Sequence, residues 1–135
     1  MIGQEFAEYL EDQGYGTKGS DLFLGVQPEE PDDCITIFDE SVPVNDDMQS
    51  VSIDEFGIQI IIRDTTYSGA RDTLREIHKQ IVGFGGEPLV AGGSGVTVVY
   101  VVTPPTSIGQ DHVMRYEWTA HYRFRVESSG DTYRG

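Results

Sequence analysis

The sequence predicts an α+β fold: one mostly antiparallel β-sheet with a long helix packed on one face and a short helix before it. Three observations predict it. Residues 115–126 alternate between apolar and polar side chains without a break. Residues 67–84 repeat apolar side chains at intervals of three and four. The remaining apolar runs are short and are bounded by Gly, Pro and Asp, the punctuation of strands and turns.

Taken in order, residues 2–13 form the short helix, because Ile2, Phe6, Tyr9 and Leu10 fall on one face and Gly14 supplies a stop. Gly14, Gly16 and Gly19 mark a loop. Residues 21–26 and 34–38 read as two strands of a hairpin, joined by the rigid acidic connection Pro28-Glu29-Glu30-Pro31-Asp32-Asp33. Residues 39–55 are acidic and without period, and read as an exposed loop. In 56–63, Phe56, Ile58, Ile60 and Ile62 share one face of a central strand. Asp64, Thr65 and Thr66 are N-cap candidates for the helix whose stripe is Tyr67, Ala70, Leu74, Ile77, Ile81 and Phe84. Gly83, Gly85 and Gly86 end it. The AGGSG link (91–95) leads to a strand from Val96 to Thr103, stopped by Pro104 and Pro105. The last strand puts Tyr116, Trp118, Ala120, Tyr122, Phe124 and Val126 on a core face. Arg115, Glu117, Thr119, His121, Arg123 and Arg125 lie on a face that meets water or a charged partner. The tail 128–135 reads as frayed.

The 135 residues fit one domain, 1–135. With 38% hydrophobic residues the chain is too apolar to be a disordered acidic polymer. No apolar run approaches the ~18 residues that cross a bilayer, so no membrane partner is expected. Glu5 and Glu8 precede any basic residue, the reverse of a secretory leader. The net charge of −14 resides in the first 55 residues, which hold 15 acids and one base; the remainder holds eight of each. Such a surface repels nucleic acid and can steer basic protein partners.

Reactive chemistry finds little support. The lone Cys34 rules out an internal disulfide, and its neighbours Asp32 and Asp33 would raise a thiol pKa. His78, His112 and His121 have no metal-ligand spacing, and no cofactor motif is present. Asp111 with His112 could form an acid/base pair, but no nucleophile motif accompanies it. The Asp pairs 32/33 and 46/47 lack the spacing of a calcium loop. What stands out is a line of bases on the second helix, Arg71, Arg75 and Lys79 at i, i+4 and i+8. Partly offset by Asp72 and Glu76, it reads either as a solvated helix face or, set against the acidic first half, as a basis for self-association, with the acidic hairpin of one copy on the basic helix or strand face of the next.

Three ordered stretches carry a family resemblance. YLEDQGYGTKGSDLFLGVQPEEPDDCITIFDE (9–40), FGIQIIIRDTTYSGARDTLREIHKQIVGF (56–84) and PPTSIGQDHVMRYEWTAHYRFRV (104–126) together resemble the tailed-bacteriophage family of minor capsid or tail-terminator (tail-completion) proteins. The sequence departs from that pattern at His112, where an acidic residue is usual, and at 41–55, which is longer and more acidic. The resemblance implies a non-enzymatic virion protein, assembled in the host cytoplasm. Its copies would form a ring, typically of six, on the head-proximal end of the tail tube. That ring would stop tube polymerisation and dock to the head-completion or adaptor protein of the neck, with genomic DNA passing through its lumen unread. The implied partners are thus further copies of the chain, the tail tube protein and the neck protein. Candidate interface residues are Glu29, Glu30, Asp32, Asp33, Arg63, Arg71, Arg75, Lys79, Arg123 and Arg125. Two other readings are a different neck ring component and, from another class, an acidic DNA mimic that inhibits a nuclease; a small hydrolase is weakest.

Overall fold

Two helices and six strands make up the computed structural model, which describes residues 2–40 and 53–127. The elements are α1 (Ile2–Asp12), β1 (Leu22–Leu24), β2 (Cys34–Glu40), β3 (Ile53–Asp64), α2 (Tyr67–Val82), β4 (Glu87–Pro88), β5 (Gly95–Gln110) and β6 (Tyr116–Glu127). They form a mixed α+β fold on one sheet, ordered β1-β2-β3-β6-β5-β4. β1 runs parallel to β2, and every other pairing is antiparallel.

The alternation in β3 and β6 builds the core face. Ile58, Ile60 and Ile62 lie opposite Tyr122, Ala120 and Trp118, and all six are buried. Directly opposed residues share a face, so two period-2 sequences sum to one apolar surface. α2 covers it with Ala70, Leu74, Ile77 and Ile81. α1 extends the cover with Ile2, Phe6, Ala7 and Leu10, its Phe6 ring 5.4 Å from that of Phe124. Each such large aliphatic or aromatic side chain contributes about 1.5–3 kcal/mol relative to exposure. α2 starts where Thr66 caps it: the Gly69 N–H donates to Thr66 Oγ1 at 3.1 Å, and Asp64 Oδ1 accepts from the Thr66 N–H and hydroxyl. A Cβ at residue 69 would lie 2.5 Å from Thr66 Oγ1, so this cap requires glycine. The helix ends on Gly83.

The structure corrects several sequence expectations. Residues 21–26 and 34–38 do not form a hairpin, since β1 and β2 are parallel. Residues 25–33 instead cross the outer face of the sheet, the face turned away from the helices. The strand from Val96 does not stop at Pro104. β5 runs to Gln110, with register shifts between Val101 and Thr103 and between Thr103 and Thr106. Proline lacks only a donor, and on a strand whose far side is unpaired that donor is dispensable. The expected loop 39–55 shrinks at both ends, because Asp39 and Glu40 finish β2 and Ile53 to Glu55 begin β3; its centre and the tail 128–135 lie outside the described residues. Tyr67 opens the α2 stripe but remains 46% exposed, edge-on to Tyr116 and Trp118, while Phe84 is only partly buried. On the polar side of the last strand, Arg115 and Thr119 are buried rather than facing water.

Candidate functional site

The acidic connection is a strap held down by two buried arginines. Arg63 ends the apolar run of β3 on the outer face and is 3% exposed. Its Nη2 donates to the Pro31 carbonyl at 2.6 Å and the Glu29 carbonyl at 3.3 Å, and its Nε to the Asp32 carbonyl at 3.2 Å. Arg115, at the foot of β6, adds a donation from Nη1 to the Glu29 carbonyl and pairs with Asp32 Oδ1 at 3.3 Å. Gln27 Nε2 ties the start of the strap to Glu117 Oε2 at 2.8 Å. Arg63 spends its donors on backbone carbonyls, whereas Arg115 also pairs with the Glu29 and Asp32 carboxylates at 3.6 and 3.3 Å and Asp33 accepts from the Thr65 N–H at 3.0 Å; Glu29, Glu30, Asp32 and Asp33 remain exposed. A planar five-donor fork suits this task better than a lysine would.

Asp111 orients Arg115. Its Oδ1 accepts from the Arg115 and Val113 N–H groups at 2.9 and 3.1 Å, and its Oδ2 from Arg115 Nε at 2.8 Å. Desolvation raises the Asp111 carboxyl, but these bonds and the Arg115 charge outweigh it and hold the group below the usual carboxylate range. Asp111 is thereby committed to the turn, while His112 faces Glu29 at 3.5 Å. The two do not converge on a shared reacting atom.

Further along the outer face, Glu55 of β3 meets Arg125 at 2.9 Å and Arg123 at 3.9 Å, and Glu40 of β2 meets His121 at 3.1 Å. Arg125 also lies over the Tyr100 ring. The charge asymmetry of the sequence is therefore partly cancelled inside the fold, as bases of the second half reach back to acids of the first. On α2 the outcome differs. Arg71 pairs with its neighbour Asp72 at 3.1 Å. Arg75 and Lys79 are exposed and have no ion-pair partner among the described residues. Of the predicted interface residues, the structure thus gathers Glu29, Glu30, Asp32 and Asp33 into the strap and buries Arg63 of β3 beneath it, off the surface. It groups Arg123 with Arg125, and leaves Arg71, Arg75 and Lys79 on a separate surface. Arg115 was missed as an organising residue; its position between Asp111 and an alternating strand was the available signal.

Cys34 is buried beside Arg63. Burial pushes its thiol up, and the Arg63 charge only partly opposes that, so it stays protonated and a poor nucleophile. His78 Nδ1 lies 2.6 Å from the hydroxyl of the buried Tyr122; burial lowers the imidazole and raises the phenol. Among the described residues, no group of three or more His, Cys, Asp or Glu side chains could hold a metal ion, and no helix is long and apolar enough to cross a membrane.

In this small α+β subunit buried charges thus fix a surface strap and exposed charges form separate patches. The comparison with protein families gives its class. The profile of the family described as bacteriophage tail terminator protein matches residues 9–128, and the chain belongs to that family. It is therefore a structural virion component of a phage tail. Among curated proteins, none matches the chain.

Proposed function

We propose that this chain, folding as one domain, closes with further copies into a ring on the head-proximal end of the tail tube. The ring is hexameric, ends tube polymerisation, and joins the tail to the head-completion protein of the neck. Genomic DNA passes through it without sequence-specific contact, and assembly takes place in the host cytoplasm. The observation that carries this reading is the family match, which spans all six strands and α2. The charge distribution supports it. The exposed strap carboxylates of Glu29, Glu30, Asp32 and Asp33 complement the α2 line of Arg71, Arg75 and Lys79, and a repeated contact of that kind is heterologous, closing when its rotation fits. Arg123 and Arg125 lie on the other face of the sheet, paired with Glu55, and offer a separate basic patch to an acidic neighbour.

The test is electron microscopy and native mass spectrometry of the purified protein, alone and with tail tube protein. Rings that cap and shorten tubes are expected. A protein that stays monomeric in both settings overturns the reading, and rings that bind a portal-side adaptor but not the tube move the protein elsewhere in the neck.

A further inference from the structure

β5 is unlike the rest of the chain. From Gly95 to Gln110 it contains no charged residue, in a protein that is 24% charged. β4 pairs with it only at Gly95 and Val96, and beyond that point no strand among the described residues covers its outer edge. Val101, Val102 and Ile108 are exposed along it, Val102 at 55%. Proteins normally protect an open edge of this length with charges, bulges or a cover. β5 has bulges beside Pro104 and Pro105, but the run Val98 to Val102 that precedes them carries no charge or proline.

The opposite end of the same sheet has a matching feature. Residues 22–28, LFLGVQP, are also uncharged. The Gly25 N–H bonds inward to the Ile37 carbonyl, and the outer side of Leu22 is taken by the turn at Thr17 and Gly19. At Leu24 and Val26, which are 44% and 68% exposed, no described strand pairs on the outside. Beside them, between α1 and β1, lies a cleft of about 220 Å³ lined by Ala7, Leu22, Phe23 and Leu24 together with Gln4, Gly19 and Lys18, whose ammonium is already paired with Glu8 at 3.3 Å.

We infer that the open β5 edge of one copy docks on the β1 edge and cleft of the next copy, continuing the sheet from subunit to subunit. This rests on the ring reading and adds to it a backbone contact separate from the charge pairing of strap and α2. The occupant is a second copy because the chain presents both uncharged strips on opposite ends of one sheet, the arrangement a head-to-tail contact needs. Copies that each carry −14 repel one another, and the uncharged strips are where two can meet without opposing like charges or stripping a charge of water. Backbone pairing along Val98 to Val102 supplies affinity, and a valine side chain seated in the cleft sets the register.

Two lysine substitutions at exposed positions test it by native mass spectrometry, with circular dichroism as the check on folding. Val102→Lys blocks the β5 edge and Leu24→Lys blocks the β1 edge. Each variant alone is expected to be a folded monomer while the parent protein forms rings. Mixed together, they are expected to give a one-to-one dimer and nothing larger, because each brings one intact edge. A double variant, Val26→Cys with Val102→Cys, treated with a short bismaleimide crosslinker, is expected to give a ladder of multimers. Rings retained by both lysine variants overturn this contact while leaving the ring reading intact. Rings retained by Leu24→Lys alone overturn it in favour of another partner for β5. Absence of the crosslinked ladder overturns it as well, and a monomeric parent protein overturns contact and ring together.

Discussion

The two faces of the sheet are held by different physics. On the face under α1 and α2, isoleucine, leucine and aromatic side chains are packed out of water, and the stabilisation is proportional to area and tolerant of detail. On the outer face, Cys34, Thr36, Arg63 and Thr119 are equally hidden, yet what covers part of it is a polar strap fastened by directed bonds from two guanidinium groups. The first face resists the loss of any one bond. The second depends on a few donors, because a buried carbonyl that loses its partner keeps the whole cost of leaving water.

That contrast can be broken by substitution. The largest effect is expected at Leu74→Ala, which opens a cavity under α2 and should cost roughly 2–5 kcal/mol, read as a fall in the thermal midpoint. A shift of a degree or less would mean that α2 is not seated on the core face. Arg63→Met comes next. It preserves bulk but leaves the Pro31 and Asp32 carbonyls without their donor and the Glu29 carbonyl with Arg115 alone, for about 2–3 kcal/mol. Its distinguishing mark is location: amide exchange should rise in residues 25–33 before it rises in β3.

Acid should loosen the two faces in separate windows. His78, on the core side, is lowered in the folded state, so the unfolded chain takes up its proton first. Its contribution is complete above the ordinary value of 6.5 and declines as pH falls below it. Asp111, on the strap side, is also lowered, so its contribution is present above the ordinary value of 3.8 and is lost as pH drops through the folded value. Melting temperatures across pH should flatten in the upper window for His78→Gln and in the lower one for Asp111→Asn. The smallest effect on folding belongs to Arg71→Glu with Arg75→Glu. Arg75 is exposed, and the half-buried Arg71 touches only its neighbour Asp72 and the Tyr67 ring, so stability should change by about 1 kcal/mol or less, while oligomer mass collapses to that of one subunit. Retained oligomer mass would remove α2 from the interface.

The sequence made the core face legible and the outer face obscure for the same reason. Periodicity reports on apolar burial, and β3, α2 and β6 all show it. The strap shows no period, because its attachment is made by carbonyl groups that every residue possesses. Reading residues 21–26 and 34–38 as a hairpin followed from their nearness in sequence; Arg63 and Arg115, remote in the chain, were what turned the connection across the sheet. Pro104 and Pro105 misled for a related reason. They exclude a central strand position but not an edge, and nothing local says which strand is at the edge. Of the proposed interface, the α2 line was visible from spacing alone, whereas the uncharged ends of the sheet acquire meaning only once the strand order is known.

The paired prolines of β5 carry a last consequence. A run such as Val96 to Val102 is the composition from which amyloid grows, one identical segment stacking on another without end. Pro104 and Pro105, with the bulges that admit them, cut that template short on one side, and Gly95 with the two-residue β4 cuts it short on the other. An apolar strand bounded in this way offers only a short template to an identical strand.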